Sequence, residues 1–593
     1  MTKPRIRENH LNLAEYRVLE AFRGGVEKIA VMLPPVENSN FPQVGHPGEL
    51  SEEDWESAIL RSEFLRDLYL GNYGELDTRR VEIRWAKVSG RLDLSYCRIR
   101  QPILFRQCFF SEGISLLDSV IPILHLKRCL VRGIERGYDL DTSNALNANR
   151  LKSGHVMLDK GFIADGDVSL GGAVIDGHLD CSGGIFEGGF LAQGLKAGDV
   201  RLNNGFTAKG EVNLINADID GQVICQGGIF NEKFTAQSLN AEVVFMNHGF
   251  IAKNEVFLFG AKIKGQFSCR GGKFNGGINA QGTEVVDVIL GDGFIANRDV
   301  KFMNARIDGQ LTCIGGKFME VLELADAKIG TFVSDKQSWP RKGSLRLDGF
   351  CYQWLVGDAA DSAEAGLDWL SRTGEGEFYP HSYEQLMSVY RRMGRPDWAR
   401  KVGFKLEKRR HRGYKKRGDA EDNERRWWDI WYEILRVTIG YGYKPFRSLG
   451  WILGLWLGGT LVFGGANLCG GGSLPPQSLE EAKALFLGSE DRSECSNRLI
   501  LPLEGHSLIS RDGEVTEKRT PEHYPQFVPV VYALEALFPV LNFGQLEKWH
   551  PGSWLSGIRW GMTFLGTSLL AILALFGVGV LGPQLWRSGK DSV

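Results

Sequence analysis

The chain has 593 residues with 74 glycines, 24% charged residues and a formal net charge of −2. That length demands several domains, the balanced charge argues against a generic nucleic-acid binder, and glycine enrichment without periodic proline excludes collagen and low-complexity sequence. The glycines must instead serve many turns.

The N-terminus, Met1 to His10, is mildly basic but has neither the apolar core nor the small-residue cleavage site of a secretory signal, so the front of the chain is expected to stay where it is made. Glu49-Leu50-Ser51-Glu52-Glu53-Asp54-Trp55, running into Ala58-Ile59-Leu60, Phe64-Leu65 and Leu68, predicts a capped amphipathic helix, and 1–80 reads as a helical cap.

An internal repeat follows. Gly161-Phe162-Ile163-Ala164, Gly205-Phe206-Thr207-Ala208, Gly249-Phe250-Ile251-Ala252 and Gly293-Phe294-Ile295-Ala296 recur at a 44-residue step. Cys181, Cys225, Cys269 and Cys313 keep the same step, each followed by a Gly-Gly pair and then Phe186, Phe230, Phe274 or Phe318. Within one repeat the apolar pairs are Val212/Leu214, Ala217/Ile219, Val223/Cys225, Ile229/Phe230, Phe234/Ala236, Leu239/Ala241 and Val243/Phe245, spaced too closely for helices or ordinary hairpins. They predict a β-solenoid with four sides and about 22 residues per coil. Leu92/Leu94, Ile103/Phe105 and Ile114/Leu116 carry the half-period upstream, so the solenoid is expected over 81–350. It makes roughly twelve coils, a rod on the order of 55–60 Å at the strand spacing of a sheet. The pattern resembles pentapeptide-repeat proteins, which implies a right-handed quadrilateral parallel β-helix; a three-sided helix is the alternative. Cysteines two coils apart lie about 9–10 Å from one another, too far to share a disulfide or a zinc ion, so they read as core filling and no metal site is expected.

Residues 351–447 read as a basic helical connector. Tyr383, Leu386, Val389 and Tyr390, then Trp398, Ala399, Val402 and Leu406, have helical spacing on either side of Gly394-Arg395-Pro396, similar to one tetratricopeptide hairpin. From Arg391 to Arg417 there are thirteen Lys/Arg against two acids, a net of +11 over 27 residues. Three readings stay open: a topology and lipid-headgroup signal, a polyanion or nucleic-acid site, and a solvated face. For the polyanion reading, Arg409, Arg410, Arg412, Lys415 and Lys416 are the candidate phosphate contacts. Phe350, Tyr352, Trp354, Trp369, Phe378, Tyr379 and Tyr383 are candidate stacking rings, although Phe350 and Tyr352 suit a cap on the last coil better. Glu424 to Arg436 has the dense aromatic face of an interfacial helix.

Residues 448–593 hold two uncharged runs, Ser448–Leu468 and Trp560–Trp586. As helices they reach roughly 30 and 40 Å, enough to cross a hydrocarbon core of about 30 Å. Basic residues flank both runs on one side and acids such as Glu480, Glu490, Glu504 and Glu517 fill the loop between them, so both termini are expected in the cytoplasm, with the loop outside. Cys469 and Cys495 in that loop are a disulfide candidate. Gly450, Gly454 and Gly458 offer a helix-packing stripe. Tyr524 to Pro539 is apolar yet too short to span, which predicts a re-entrant helix followed by a filter-like turn, Val540-Leu541-Asn542-Phe543-Gly544-Gln545.

The layout resembles two-helix tetrameric cation channels, but without Thr-Val-Gly-Tyr-Gly no potassium selectivity is implied. No enzyme or cofactor is expected: Gly577-Val578-Gly579-Val580-Leu581-Gly582 matches a dinucleotide fingerprint only inside an apolar run, with no preceding strand. Phe64-Leu65-Arg66, Gly90-Arg91-Leu92-Asp93-Leu94, Leu347-Asp348-Gly349-Phe350-Cys351-Tyr352 and Tyr383-Glu384-Gln385-Leu386 are similar to bacterial proteins labelled membrane-associated oxidoreductases, whose cofactor motif is missing here. In architecture the chain resembles the channel effectors of the Hailong anti-phage system. That resemblance implies a homotetrameric ion channel held closed by single-stranded DNA oligomers, or another nucleotide ligand, and opened when they are destroyed. A membrane-anchored β-solenoid scaffold without a pore is the alternative.

Overall fold

The structure, a computed structural model, describes residues 10–23, 30–32, 53–74, 81–133, 144–373, 379–417, most of 430–467, 500–502 and nearly all of 526–577. The chain divides into two compact units, Met1–Val402 and Gly403–Val593.

The first unit is a parallel β-solenoid. Its strands form three sheets of 14, 12 and 12 members in which successive neighbours are one coil apart, as in the register Asp218, Asn240, Lys262. The solenoid thus has about twelve coils of about 22 residues, and its strands carry the expected apolar pairs in three β-sheets. One sheet carries two pairs for a local reason. In Asp218–Ile224 both Ile219 and Val223 point inward, with a register shift between them, so one bulged strand covers what the apolar pairs suggested were two sides. Ile229–Phe230 and Phe234–Thr235 make the other two.

The bulge also explains why the sequence repeats every second coil. The long strands alternate between seven residues, as in Val174–Asp180 and Asp218–Ile224, and six, as in Lys196–Arg201 and Asn240–Phe245. Inward residues are four apart in the first kind (Ile219, Val223) and three apart in the second (Ala241, Val244). Val243 and Phe245 are therefore only half-buried, and Val244 and Met246 take the inward places predicted for them. The extra residue is accommodated at glycine: a Cβ on Gly221 would lie 2.7 Å from the Gly198 carbonyl oxygen and closer still to the Asp199 carboxylate.

Phe162, Phe186, Phe206, Phe230, Phe250, Phe274, Phe294 and Phe318 stack in one column, with successive ring centroids 4.9 to 5.7 Å apart. The two phenylalanine motifs of the repeat thus interleave coil by coil. Cys181, Cys225, Cys269 and Cys313 are fully buried beside Leu202, Met246 and Leu290 of the intervening coils. Burial pushes each of these thiols well above its ordinary range, so they serve as small apolar groups.

Both solenoid ends are covered. At the N-terminal end, helix α1 (Leu13–Arg23) is followed by strand Ile59–Arg61 and helix α2 (Ser62–Tyr69). The predicted continuous helix is broken here, because Ile59–Arg61 extends a solenoid sheet by pairing in parallel with Lys87–Ser89 while Leu60 enters the core. Glu15 anchors this arrangement. Its backbone N–H donates to Asn12 Oδ1 at 2.8 Å and its carboxylate accepts from the Asn12 N–H at 3.1 Å, a reciprocal cap on α1. The same carboxylate, fully buried, accepts from Arg61 Nε at 2.8 Å, Nη2 at 2.7 Å and the Arg61 backbone N–H at 3.1 Å. Glu15→Ala removes the carboxylate half of the cap and the whole fork, leaving the backbone N–H to Asn12 bond in place; because the Arg61 guanidinium is half exposed and can hydrate, the expected loss is about 2–3 kcal/mol, below that of breaking a fully buried pair. Hydrogen exchange at Ile59–Arg61 should accelerate by about thirty- to a hundredfold.

At the other end Cys351–Gly357 is the last strand, capped by α3 (Ala363–Ser371) and α4 (Pro380–Arg392). Phe332, Phe350, Tyr352 and Trp369 form a buried aromatic cluster, and Ser382 Oγ donates to the Leu347 carbonyl at 2.9 Å. Helix α5 (Pro396–Arg417) completes the predicted hairpin, turned at Gly394 with φ of +73°.

The second unit contains α6 (Arg447–Asn467), the short helices α7 (Pro529–Leu537) and α8 (Gln545–Lys548), and α9 (Ser553–Gly577). Arg447–Ala466 and Trp554–Ala574 are long and apolar enough to cross a membrane. Ile500–Pro502 pairs antiparallel with Trp549–Pro551.

Candidate functional site

The second unit is organised around α7. Proline in its first turn and the extended Val528 before it set its start, and its nine residues rise about 13 Å, less than half of a hydrocarbon core. Tyr532, Ala533, Ala536 and Leu537 of α7 pack with Phe463 of α6 and Leu555 and Met562 of α9 in one buried cluster. Two glycines permit the approach. A Cβ on Gly459 would run into Met562, and one on Gly566 would lie 2.6 Å from the Leu537 carbonyl. Trp456 Nε1 donates to the Val530 carbonyl at 3.0 Å and Thr563 Oγ1 to the Ala536 carbonyl at 2.6 Å, so both long helices grip the backbone of the short one.

After α7 the chain makes the predicted turn, Val540 to Gln545. Val540 is 92% exposed and Phe543 58%, whereas Gln545 is buried. Gly544 adopts φ of +81°, a left-handed conformation that glycine takes without a Cβ penalty, and its N–H donates to Asn542 Oδ1 at 2.9 Å. Asn542 Nδ2 in turn reaches Glu547 at 2.9 Å. Gln545 ties the turn to the residues ahead of α7: its Oε1 accepts from the Val528 N–H at 3.1 Å and its Nε2 donates to the Gln526 carbonyl at 3.0 Å.

Glu535 holds this turn from behind. It is 1% exposed, and its carboxylate accepts from the backbone N–H groups of Phe543 and of Leu546, the latter at 2.7 Å. Burying a carboxylate costs several kcal/mol unless hydrogen bonds satisfy it, so the two amides and the acid hold each other in place. The result is a short exposed turn with a fixed backbone, carried on a half-length helix between two long apolar ones. The sequence reading missed Glu535, although a signal was present: it is the one acid between Tyr524 and Pro539.

The other predicted residues fall elsewhere. Arg409 and Arg410 lie half-buried on α5, Arg410 bridging Glu407 at 3.3 Å; Arg412, Lys415 and Lys416 belong to the same helix, with side chains outside the described residues. Trp369 and Tyr383 are buried along with Phe350 and Tyr352, which leaves Trp354, half exposed, as the open ring of the group; Tyr379 is partly buried and Phe378 lies outside the described residues. Gly450, Gly454 and Gly458 face open space on α6, while Gly459 makes the contact inside the chain. Cys469 and Cys495 lie outside the described residues.

No family model matches this chain, and no curated protein or solved structure is found similar to it.

Proposed function

We propose that the protein is a ligand-gated ion channel of the bacterial inner membrane with both termini in the cytoplasm, built as a homotetramer in which α6, α7, α9 and the Val540–Gln545 turn line the pore. The observation that carries this reading is the half-length helix α7, gripped by two membrane-length helices and ending in a turn fixed by a buried acid. Irregular backbone at membrane depth is tolerated where it lines a cavity, and rigid presentation of such backbone is what an ion filter requires. The open faces of Gly450, Gly454 and Gly458 suit close packing against other copies. The solenoid is the cytoplasmic arm. Following the resemblance to anti-phage channel effectors, its ligand is a single-stranded DNA oligomer or another nucleotide that holds the channel shut, and losing it depolarises the membrane.

Single-channel recording of the purified protein in planar bilayers, with and without single-stranded DNA oligomers, tests this directly. Current that the oligomers suppress supports channel and ligand together, current indifferent to them supports the channel alone, and a silent bilayer overturns the reading. With the neighbouring aromatic rings largely buried, affinity for DNA rests on phosphate contacts. Replacing Arg409, Arg410, Arg412, Lys415 and Lys416 by glutamine is then expected to flatten the salt dependence of binding by about 0.7 in log–log slope per lost contact. Unchanged affinity would make the cluster a topology signal.

A membrane-anchored scaffold without a pore is the second reading, favoured by the exposed Trp354 and Val356 on the last solenoid strand. Under it, replacing Asn542 or Gly544 leaves bilayer conductance untouched.

A further inference from the structure

We infer that a groove beside the start of α6 holds one acyl chain of an anionic phospholipid. The inference rests on the membrane reading of α6 and α9 and is independent of whether a pore exists. The groove, of about 560 Å³, runs along the helical residues Ile430, Glu433, Ile434, Val437 and Thr438 and is closed at one side by Trp451, one turn into α6. Ile430, Ile434 and Val437 recur at i, i+4 and i+7 and so share a helix face, yet all three stay between 43 and 51% exposed, as does Trp451. Four large apolar side chains lining one concavity need an apolar occupant. The indole is held in place because Trp451 Nε1 donates to the Val437 carbonyl at 3.3 Å. The one acid of the lining, Glu433, is already paired with Arg436 at 2.7 Å.

Cations in the segment leading into α6 supply the complement for a phosphate, and Arg447 comes closest to the groove through Arg436, the residue before the lining Val437. Arg447 is exposed and reaches the Arg436 carbonyl at 3.4 Å, and Lys444 is exposed with its ammonium 5.1 Å from the Phe404 ring centroid. Neither has a carboxylate partner within salt-bridge distance among the described residues. These cations precede the first apolar residues of α6, the level at which headgroups lie when α6 crosses a bilayer. An acyl chain in the groove therefore brings its phosphate toward Arg447, at the level of Lys444, and this joint fit selects an anionic phospholipid over a second protein segment.

The test uses the full-length protein in detergent, loaded with phosphatidylglycerol or phosphatidylcholine and read by native mass spectrometry. One phosphatidylglycerol per chain should survive delipidation and be preferred over phosphatidylcholine. Lys444→Gln and Arg447→Gln should each cut that preference about fivefold, the equivalent of about 1 kcal/mol for a cation at an anionic surface. Filling the groove with Val437→Trp, or with the milder Val437→Phe, should abolish retention of either lipid. Undiminished retention in both filled variants overturns the inference, and so does an altered oligomeric state with retention unchanged, because the groove is then covered by a second copy. If alkaline carbonate strips the wild-type protein from membranes, the membrane reading fails with it; a protein that stays in the membrane but retains no lipid sinks the inference alone.

Discussion

Replacing Glu535 by alanine is expected to abolish or strongly reduce conductance while leaving the solenoid folded. The substitution strips the Phe543 and Leu546 N–H groups of the buried Glu535 carboxylate, their acceptor. An unsatisfied buried donor costs about 1–3 kcal/mol, and the acceptor lost here is charged, so the turn has every reason to leave its present conformation. Hydrogen exchange gives a readout that does not depend on channel activity: protection at Phe543 and Leu546 should fall about a hundredfold, matching about 3 kcal/mol. Glu535→Gln is the sharper variant, since it keeps the shape but sets an amide NH2 where one of two acceptor oxygens was, and it should lose protection at one of the two amides. Wild-type conductance in both variants would remove Glu535 from the filter.

The largest stability effect is expected at the centre of the phenylalanine column. Phe230 touches Phe206 and Phe250 at 5.4 and 5.1 Å and meets Phe234 edge-on at 5.3 Å. Phe230→Ala leaves a cavity that the neighbouring coils cannot close without breaking their own ladders, and about 3–5 kcal/mol should be lost. Phe318, at the end of the column with one column neighbour, Phe294, and slight exposure, should cost clearly less. Because each coil contacts chiefly its nearest neighbours, the Phe230 defect should appear as local opening around 206–250 in hydrogen exchange, with the end caps still protected. A uniform loss of protection along the whole solenoid would mean that the coils unfold as one unit.

Periodicity made the solenoid legible. The 44-residue recurrence of Gly-Phe and Cys-x-Gly-Gly, divided by apolar pairs every five or six residues with four to a coil, yields the 22-residue coil and the inward cysteines, because side chains repeating at a fixed step in a stack must share a column. The number of sheets was not legible. Ala217/Ile219 and Val223/Cys225 look like two sides in one dimension, and only the backbone reveals that a bulged strand joins them. The cap misled for a similar reason: Ile59-Leu60-Arg61 fits a helical pattern locally, but an unpaired solenoid edge and the buried Glu15 carboxylate draw it into a strand. For the candidate site, the place of the turn could be read from length, since Tyr524 to Pro539 cannot span a bilayer. The residue that fixes the turn could not, because the Glu535 hydrogen bonds join positions eight and eleven apart through a chain reversal that no periodicity announces.

The alternation of bulged and plain coils carries a lesson about ancestry. At Gly221 the Gly198 carbonyl of the neighbouring six-residue strand presses against the place a side chain would take. Two plain strands pair without a register shift, as Lys328–Ser334 does with Cys351–Gly357, but from Val174 to Thr312 every bulged strand lies against plain ones, and only gain or loss of a pair of coils keeps those neighbours. That stretch of the arm is expected to lengthen or shorten in steps of 44 residues, and variation in its reach among descendants should there be counted in pairs of coils.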